Sequence, residues 1–216
     1  MNNMNGSWEL TEDKFLTSKE LSTLLHRAEE LYIIGIEKKR KTLVRDWMLI
    51  NLAIFTGLRR AEMCDLKISD LRIGNGQSHL VVRNGKGSKL RTVRFGKGFK
   101  KTLKRYLQWK IDANELSPTN PDPYLLQTER SHKYSVSGLW SRWKKYCPKK
   151  LHSARHTFGT YGYQATKDLR MIQKQLGHSK ITTTQIYSDV TPEAICEGMN
   201  AMEKLTKTLQ KVHPVT

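Results

Sequence analysis

His79-Leu-Val-Val-Arg-Asn-Gly-Lys-Gly-Ser-Lys-Leu-Arg-Thr-Val-Arg-Phe95 is the stretch of this sequence that decides its fold class. The runs 79–83 and 90–95 are rich in β-branched residues, and they flank Asn84-Gly-Lys-Gly-Ser88, which has the composition of a tight turn. We therefore predict a β-hairpin here, with Lys86 at its tip. Elsewhere apolar residues recur at helical spacing, so the sequence predicts a mainly α-helical fold with one small antiparallel β-sheet, an α+β class.

The helices on both sides of the hairpin are marked by caps and helix breakers. Ser18 is expected to cap the first helix, because Leu21 and Leu24 follow it at helical spacing. A second helix is expected to end at Thr56-Gly57. The remaining elements are predicted as a short helix from Arg60 to about Leu66, helices after Gly98 and from Val136 to Trp143, a loop at 116–122, and three or four short helices from Leu151 onward, the last opened by Pro192.

The charge of the chain gives the first indication of its function. Its 216 residues include 38 Lys and Arg against 20 Asp and Glu, a formal net charge of +18. This excess favours a polyanionic partner, most commonly nucleic acid; the alternative is a basic surface that is only solvated. No apolar run is long enough to span a membrane, no secretory signal follows Met1, and the three cysteines form neither a disulfide framework nor a metal knuckle. We expect a cytoplasmic protein, nucleoid-associated if prokaryotic, with no membrane partner.

Two short stretches contain basic residues suited to chemistry on a phosphate. In Thr56-Gly-Leu-Arg-Arg-Ala-Glu62, Arg59 lies at a helix start, where its guanidinium and the free backbone N–H groups together suit a phosphate. Taken alone, such an arginine is usually solvated. Lys86 lies between two glycines, where the backbone can approach a ligand closely, although a hairpin lysine taken alone is usually a solubilising residue.

A third stretch is the densest in such residues. His152 and Arg155 are three residues apart and share one face of a helix, and Gly177 is predicted to cap a helix just before His178. The stretch ends at Tyr187. Its candidate residues also have ordinary interpretations: His152 as a core histidine, His178 as a capping residue, and Tyr187 as an aromatic residue on an amphipathic helix.

The three stretches gain meaning from their order. Thr-Gly-Leu-Arg-x-x-Glu, a Gly-Lys-Gly hairpin, His-x-x-Arg-His-Thr-Phe and Leu-Gly-His follow one another, and Tyr187 comes nine residues after His178. In this order they closely resemble the catalytic domain of the tyrosine recombinases, the family of phage integrases, Xer recombinases and Fim-type invertases. The resemblance extends from about Leu16 to Val190.

The resemblance implies a site-specific DNA recombinase, an enzyme that cleaves and rejoins DNA through a 3′-phosphotyrosine intermediate in integration, excision, inversion or resolution. The implied catalytic residues are Arg59, Lys86, His152, Arg155, His178 and Tyr187. In the roles that it implies, the two arginines and His178 stabilise the phosphate oxygens, Tyr187 is the nucleophile, His152 accepts its proton, and Lys86 protonates the leaving 5′-oxygen. The sequence contains neither a phosphate-binding loop motif nor an acidic metal cluster, so no metal or other cofactor is expected.

Double-stranded DNA is the implied partner. The candidate DNA-contacting residues are Arg60, Lys89, Arg91, Lys144 and Lys145. We expect a homotetramer on synapsed DNA, a monomer or dimer in free solution, and accessory DNA-bending proteins as candidate partners. His156, Tyr161 and Tyr163 do not match catalytic positions and are interpreted as packing residues.

The expected organisation is a flexible segment over residues 1–15, a catalytic domain over 16–190, and a C-terminal helix over 191–216 that is a candidate for exchange between protomers. Many members of the family have a separate helical N-terminal domain that closes around DNA, and too few residues precede the second helix to form it. We therefore expect either a single-domain member similar to the Fim-type invertases or a catalytic fragment.

Other functions remain open on the sequence alone. A type IB topoisomerase uses the same residue types to relax supercoiled DNA, although the context of Arg59 and the spacing from His178 to Tyr187 favour a recombinase. A non-catalytic DNA-binding regulator could keep the fold but would have no need of Tyr187. An RNA-binding protein is disfavoured because no RNP or KH motif is present.

Overall fold

The computed structural model of the protein describes residues 14–83, 90–116, 120–177 and 192–212. Its helices in these ranges are α1 (Ser18–Glu37), α2 (Lys41–Thr56), α3 (Arg60–Asp65), α4 (Lys97–Asp112), α5 (Val136–Trp143), α6 (Leu151–Thr166), α7 (Leu169–Leu176) and α8 (Pro192–Val212), with a 3₁₀ turn at Ile68–Asp70. Its strands are β1 (Leu71–Arg72), β2 (His79–Val82) and β3 (Arg91–Arg94). The predicted class, mainly helical with one small antiparallel sheet, is confirmed.

The sheet has the order β1-β2-β3, and both of its strand pairs are antiparallel. The predicted strands appear as β2 and β3, with Val82 opposite Arg91. The edge strand β1 was not predicted, because a strand of two residues has no readable alternation of apolar and polar residues. The predicted turn, with Lys86 and Lys89, falls at 84–89, outside the described residues.

The N-cap of the first helix lies one residue earlier than predicted. Thr17, not Ser18, is its N-cap: the Thr17 hydroxyl accepts a hydrogen bond from the backbone N–H of Glu20. The Glu20 carboxylate accepts the backbone N–H of Thr17 in return, at 2.8 Å. This reciprocal capping box requires Glu or Gln three positions after the cap, and that position holds Glu20 for Thr17 but Leu21 for Ser18.

Helix α2 forms the centre of the core. Every residue from Val44 to Ile54 is buried, and the helix packs against α1, α4, α5 and α6. A helix that is apolar on nearly all sides belongs in the interior, and its two buried charges, Arg45 and Asp46, are paired with Glu115 and Arg142. The end of α2 is therefore held firmly, and the first predicted catalytic residue follows it.

The C-terminal helix α8 packs against α1, α4, α6 and β3 of its own chain. It opens at Pro192 as predicted, but its 21 residues make it longer than the short helix expected. Its Glu203 accepts the backbone N–H groups of Gly98 and Phe99 at 2.7 and 3.1 Å, so α8 supplies the N-terminal cap that α4 lacks in its own sequence. Within the described ranges, no helix combines the length and apolarity needed to cross a membrane.

Candidate active site

The turn after α2 places the first part of the site. Gly57 has the left-handed conformation, with φ of 60°, which favours glycine. A Cβ atom at this position would lie 2.7 Å from Cδ1 of Phe158 and 2.8 Å from Cδ2 of Leu176. The chain therefore turns in direct contact with α6 and α7, and this contact brings the start of α3 close to both helices.

Arg155 is buried where these elements meet. It extends from α6, and only 3% of the residue is exposed. Its guanidinium donates one hydrogen bond to the Gly57 carbonyl at 2.7 Å and another to the Leu176 carbonyl. Burial, and then the neighbouring charge of Arg59, lower the pKa of Arg155 to about 10, so that it remains a cation at neutral pH.

Arg59 lies at the N-cap of α3 and reaches the surface. Its side chain is 34% exposed, and its guanidinium donates to Glu62 at 2.9 Å and to the carbonyl of Gly177 at 3.2 Å. The backbone N–H of Arg59 also donates to Glu62, at 2.7 Å. The sequence predicts free N–H groups beside this guanidinium; the N–H of Arg59 is not free, because Glu62 caps it.

Glu62, the last residue of the Thr56–Glu62 motif, has a role in the site that the motif alone does not indicate. Both of its oxygens accept hydrogen bonds from the Arg91 guanidinium, at 2.5 and 2.7 Å, and its side chain is only 4% exposed. Burial alone would raise the pKa of Glu62, but the hydrogen bonds from Arg91 and Arg59 outweigh it and lower the pKa to about 2. The readable signal was an acidic residue three positions after a helix cap. We call Arg59, Arg91, Arg155 and Glu62 the arginine cluster.

The C-terminus of α7 closes the cluster from the other side. Gly177 caps this helix in the left-handed conformation, with φ of 66°, as predicted. The last carbonyls of a helix carry partial negative charge and have no partner within the helix. Here the carbonyls of Leu176 and Gly177 accept hydrogen bonds from Arg155 and Arg59. The residue after Gly177 is His178, which lies outside the described residues, as does Tyr187.

His152 lies at the start of α6, exposed and one turn before Arg155. Its ring meets that of His156 edge to face, with the centroids 4.6 Å apart. Partial burial of the ring, and then the charges of His156, Arg155 and Arg59, lower the pKa of His152 below its usual value. The imidazole is therefore neutral at pH 7 and able to accept a proton.

Three of the six predicted catalytic residues, Arg59, His152 and Arg155, thus lie in described parts of the chain, and the structure brings them together. Lys86, His178 and Tyr187 lie outside.

The predicted DNA-contacting residues differ in their surroundings. Arg60 is exposed beside a surface cleft that Trp140 and His152 also line, and Lys144 and Lys145 are exposed at the end of α5. Arg91 is directed at Glu62, and its side chain is 13% exposed.

The tyrosines interpreted as packing residues also differ from each other. Tyr161 is buried, and its hydroxyl donates to the Leu16 carbonyl. Tyr163, in contrast, is 43% exposed. Among the described residues, no three His, Cys, Asp or Glu side chains form a cluster that could hold a metal ion.

Known proteins are similar to this chain in sequence and in fold. The chain is 34% identical over 206 residues to the protein named tyrosine recombinase XerA from Pyrococcus furiosus, covering 90% of this chain and 65% of that protein. It is 32% identical over 189 residues to tyrosine recombinase XerD from Chlamydia pneumoniae, covering 84% of this chain and 59% of that protein. The chain spans less than two thirds of the length of these relatives.

Solved structures give the same result. The crystal structure of XerA recombinase matches with a TM-score of 0.62 and 27% identity, over 94% of this chain and 66% of that one. A pre-cleavage complex of XerH site-specific recombinase bound to difH substrate also matches with a TM-score of 0.62, at 29% identity, over 77% of this chain and 47% of that one. The model of the phage integrase family matches residues 14–194. The protein, with its paired arginines at the meeting point of α2, α6 and α7, belongs to the phage integrase family.

Proposed function

We propose that this chain is a site-specific DNA recombinase that cleaves and rejoins DNA strands through a 3′-phosphotyrosine intermediate. The observation that carries the proposal is the arginine cluster. The cluster contains three guanidinium groups and one carboxylate, which leaves two net positive charges, and Arg59 extends from the cluster to the surface. Relatives named tyrosine recombinases, and a structural neighbour named a site-specific recombinase bound to difH substrate, support the same function.

The two catalytic arginines provide what a phosphodiester transition state requires. As phosphorus becomes five-coordinate, negative charge builds up on its non-bridging oxygens. Arg59 and Arg155 would stabilise these oxygens with rigid, forked donors. Each guanidinium is already held by carbonyls at the end of α7, so little reorganisation is needed when DNA binds. His178 adds a further donor in this proposal.

The covalent step pairs one nucleophile with one base and one acid. The hydroxyl oxygen of Tyr187 forms a bond to phosphorus and gives its proton to the neutral His152. The bond between phosphorus and the 5′-oxygen breaks, and Lys86 donates a proton to the departing oxygen. The products are a 3′-phosphotyrosine and a free 5′-hydroxyl group. Attack by a second 5′-hydroxyl group reverses these steps and joins the new strand.

The partners follow from the same proposal. Double-stranded DNA is the substrate. The protein binds it as a monomer or dimer before synapsis and as a homotetramer on synapsed sites. DNA-bending proteins are accessory partners, and the reaction takes place in the cytoplasm. Arg60, Lys144 and Lys145 are exposed and would contact phosphates along the duplex. If about 6–10 phosphates are neutralised, affinity should fall about 10³–10⁵-fold between about 50 and 200 mM salt.

A suicide-substrate experiment tests the proposal. The protein is incubated with a library of nicked duplexes whose central sequence is randomised, and DNA that becomes covalently attached is sequenced. We expect one enriched site, and an adduct that the Tyr187→Phe protein does not form although it still binds the DNA. The matched control is Tyr163→Phe, which removes the hydroxyl of an exposed tyrosine on α6 and should form the adduct normally.

Other outcomes of this experiment separate the alternatives. Binding without any adduct would identify a DNA-binding regulator. An adduct at many unrelated sites, with relaxation of supercoiled plasmid and no strand exchange, would identify a topoisomerase. An adduct that persists in Tyr187→Phe would show that another tyrosine is the nucleophile.

A sulfur-containing substrate separates the proton-transfer roles. A 5′-bridging phosphorothiolate has a leaving group that needs no proton, so cleavage by the Lys86→Ala protein should recover on this substrate. The Arg59→Ala protein should stay slow, because its defect is in charge stabilisation. Rescue of a His152 variant in place of the Lys86 variant would exchange the two roles.

A further inference from the structure

We propose that Arg91 is a positioning residue for DNA cleavage: it holds the Glu62 carboxylate, and through it the guanidinium of Arg59, in the orientation that cleavage requires. This inference rests on the proposed function. It gives Arg91 a role different from the phosphate contact that its place in a basic hairpin suggests.

The hydrogen bonds define a relay of three side chains. Arg91 donates two parallel bonds to the two oxygens of Glu62, at 2.5 and 2.7 Å. The oxygen that receives the shorter bond also accepts the bond from Arg59, at 2.9 Å, and the other oxygen accepts the backbone N–H of Arg59. A two-pronged bond of this kind fixes both the position and the plane of a carboxylate. The plane of Glu62 in turn determines where the Arg59 guanidinium points.

The solvent exposure of these side chains agrees with a relay that runs from Arg91 through Glu62 to Arg59. Arg91 is 13% exposed and Glu62 4%, whereas Arg59 at the end of the relay is 34% exposed. A phosphate of bound DNA can therefore reach Arg59 more easily than Arg91, whose two terminal nitrogens are already engaged with Glu62. Arg91 is thus suited to holding the group that holds the catalytic arginine.

Arg91 also connects three elements of the site. It is the first residue of β3, its guanidinium reaches α3 through Glu62, and its stem lies against the turn that ends α7. A Cβ atom on Gly177 would lie 2.6 Å from Cδ of Arg91, so the close contact depends on glycine at that position. The Gly177 carbonyl is itself a hydrogen-bond acceptor for Arg59. Removing Arg91 would therefore loosen Arg59 on both of its supports.

The test measures single-turnover cleavage of the enriched nicked duplex by Arg91→Ala, Arg91→Lys and Arg72→Ala. Arg72 is the matched control, because it lies in the same sheet and donates to main-chain carbonyls. We expect Arg91→Ala to slow cleavage of bound DNA by up to about 100-fold, as a misplaced catalytic group does. Arg91→Lys should recover part of the loss, since it keeps the charge without the fork. Arg72→Ala should cleave within about twofold of the unmodified protein.

Binding measurements distinguish positioning from phosphate contact. If Arg91 is a positioning residue, Arg91→Ala should leave DNA affinity and its salt dependence nearly unchanged. If Arg91 contacts a phosphate, the same substitution should reduce the salt slope of binding by about 1. A double variant adds a second criterion: combined with Glu62→Gln, Arg91→Ala should cost little beyond the loss caused by Glu62→Gln alone. Independent, additive losses would contradict a relay through Glu62.

A measurement that needs no activity keeps the inference separate from the proposed function. The carboxyl carbon of Glu62, followed by NMR in the full chain, should not titrate between pH 7 and pH 4. In Arg91→Ala its titration should move to higher pH, because the bonds from Arg91, the largest of the contacts that lower this pKa, are lost. If the unmodified protein forms no adduct, the proposed function fails, and the titration then tests only whether Arg91 holds the Glu62 carboxylate. An unchanged Glu62 titration, unimpaired cleavage per folded molecule in Arg91→Ala, or a defect confined to DNA affinity would each overturn the inference.

Discussion

The arginine cluster and a second buried group of charges, formed by Arg45, Lys110 and Glu115, both contain more cations than anions. In the second group, which we call the interior cluster, the side chains are 5%, 0% and 1% exposed. Glu115 lies 2.5 Å from Arg45 and 3.3 Å from Lys110, and Glu129 approaches Arg45 to 3.6 Å. Both cations of the interior cluster are therefore in contact with a carboxylate.

The arginine cluster is arranged differently. Arg155 donates to two main-chain carbonyls and, within the described residues, to no carboxylate. Arg59 has Glu62 as a partner but is 34% exposed. A cation that is bonded only to neutral oxygens, or that reaches solvent, keeps its capacity to attract an anion. We infer that buried cations held against a carboxylate serve stability, whereas a cation held by neutral carbonyls beside an exposed arginine serves binding and catalysis.

The strongest test of this distinction is to remove Glu115, the carboxylate that, among the residues the structure describes, both interior cations contact. Glu115→Gln keeps the shape of the side chain but leaves Arg45 and Lys110 buried beside a neutral group. Breaking a buried pair in this way should lower the free energy of unfolding by about 3–5 kcal/mol, measured by urea denaturation. Cleavage per folded molecule should be unchanged. A cleavage defect in folded Glu115→Gln protein would contradict a purely structural role.

Removal of Arg59 should slow cleavage and leave stability almost unchanged, the reverse of the pattern expected for Glu115→Gln. Arg59→Ala takes away one preorganised donor and should slow cleavage about 10²–10³-fold, equivalent to about 2.7–4 kcal/mol. Because its ion pair with Glu62 is partly exposed, the free energy of unfolding should change by no more than about 1 kcal/mol. Arg59→Lys is the matched control: it keeps the charge and loses the fork, so its rate should be intermediate. A large loss of stability with normal cleavage would place Arg59 with the interior cluster.

The pH dependence of cleavage gives a smaller effect. The folded protein lowers the pKa of His152 below 6.5, so the neutral base is present at pH 7 and is lost only as the pH falls through this lowered value. Between pH 7.5 and 5.5 the cleavage rate should therefore fall by less than about tenfold, measured in single turnover. His156→Gln removes one of the charges that lower the pKa, so the fall should begin at a higher pH. An unshifted profile in that variant would show that another group controls the acid limb.

Much of the site could be predicted from the sequence because its signals are local. Gly57 and Gly177 mark helix ends, the spacing of His152 and Arg155 places them on neighbouring turns of one helix, and Pro192 marks the start of α8. The motifs that contain them carry the family resemblance, and the structure brings Arg59, His152 and Arg155 together.

The features that were missed depend on contacts between distant parts of the chain. Arg91 and Glu62 are 29 positions apart, and Glu203 and Phe99 are 104 apart. Nothing local indicates that either pair will meet, because the contact forms only when separate elements pack. The first helix cap was assigned wrongly for a different reason: adjacent Thr and Ser residues both suit an N-cap, and only the position of Glu20 distinguishes them.

Arg60 supplies the smallest expected effect and the sharpest check on the register of the site. It follows Arg59 directly, but its side chain is exposed beside the cleft lined by Trp140 and His152. Arg60→Ala should therefore leave cleavage of bound DNA within about twofold, as expected for a surface substitution, and reduce the salt slope of binding by about 1 if Arg60 contacts a phosphate. Arg60→Ala and Arg59→Ala are compared on the same nicked duplex at saturating protein. A severe cleavage defect in Arg60→Ala, beside an active Arg59→Ala protein, would mean that the catalytic arginine is Arg60, and that the relay from Arg91 through Glu62 holds a structural side chain.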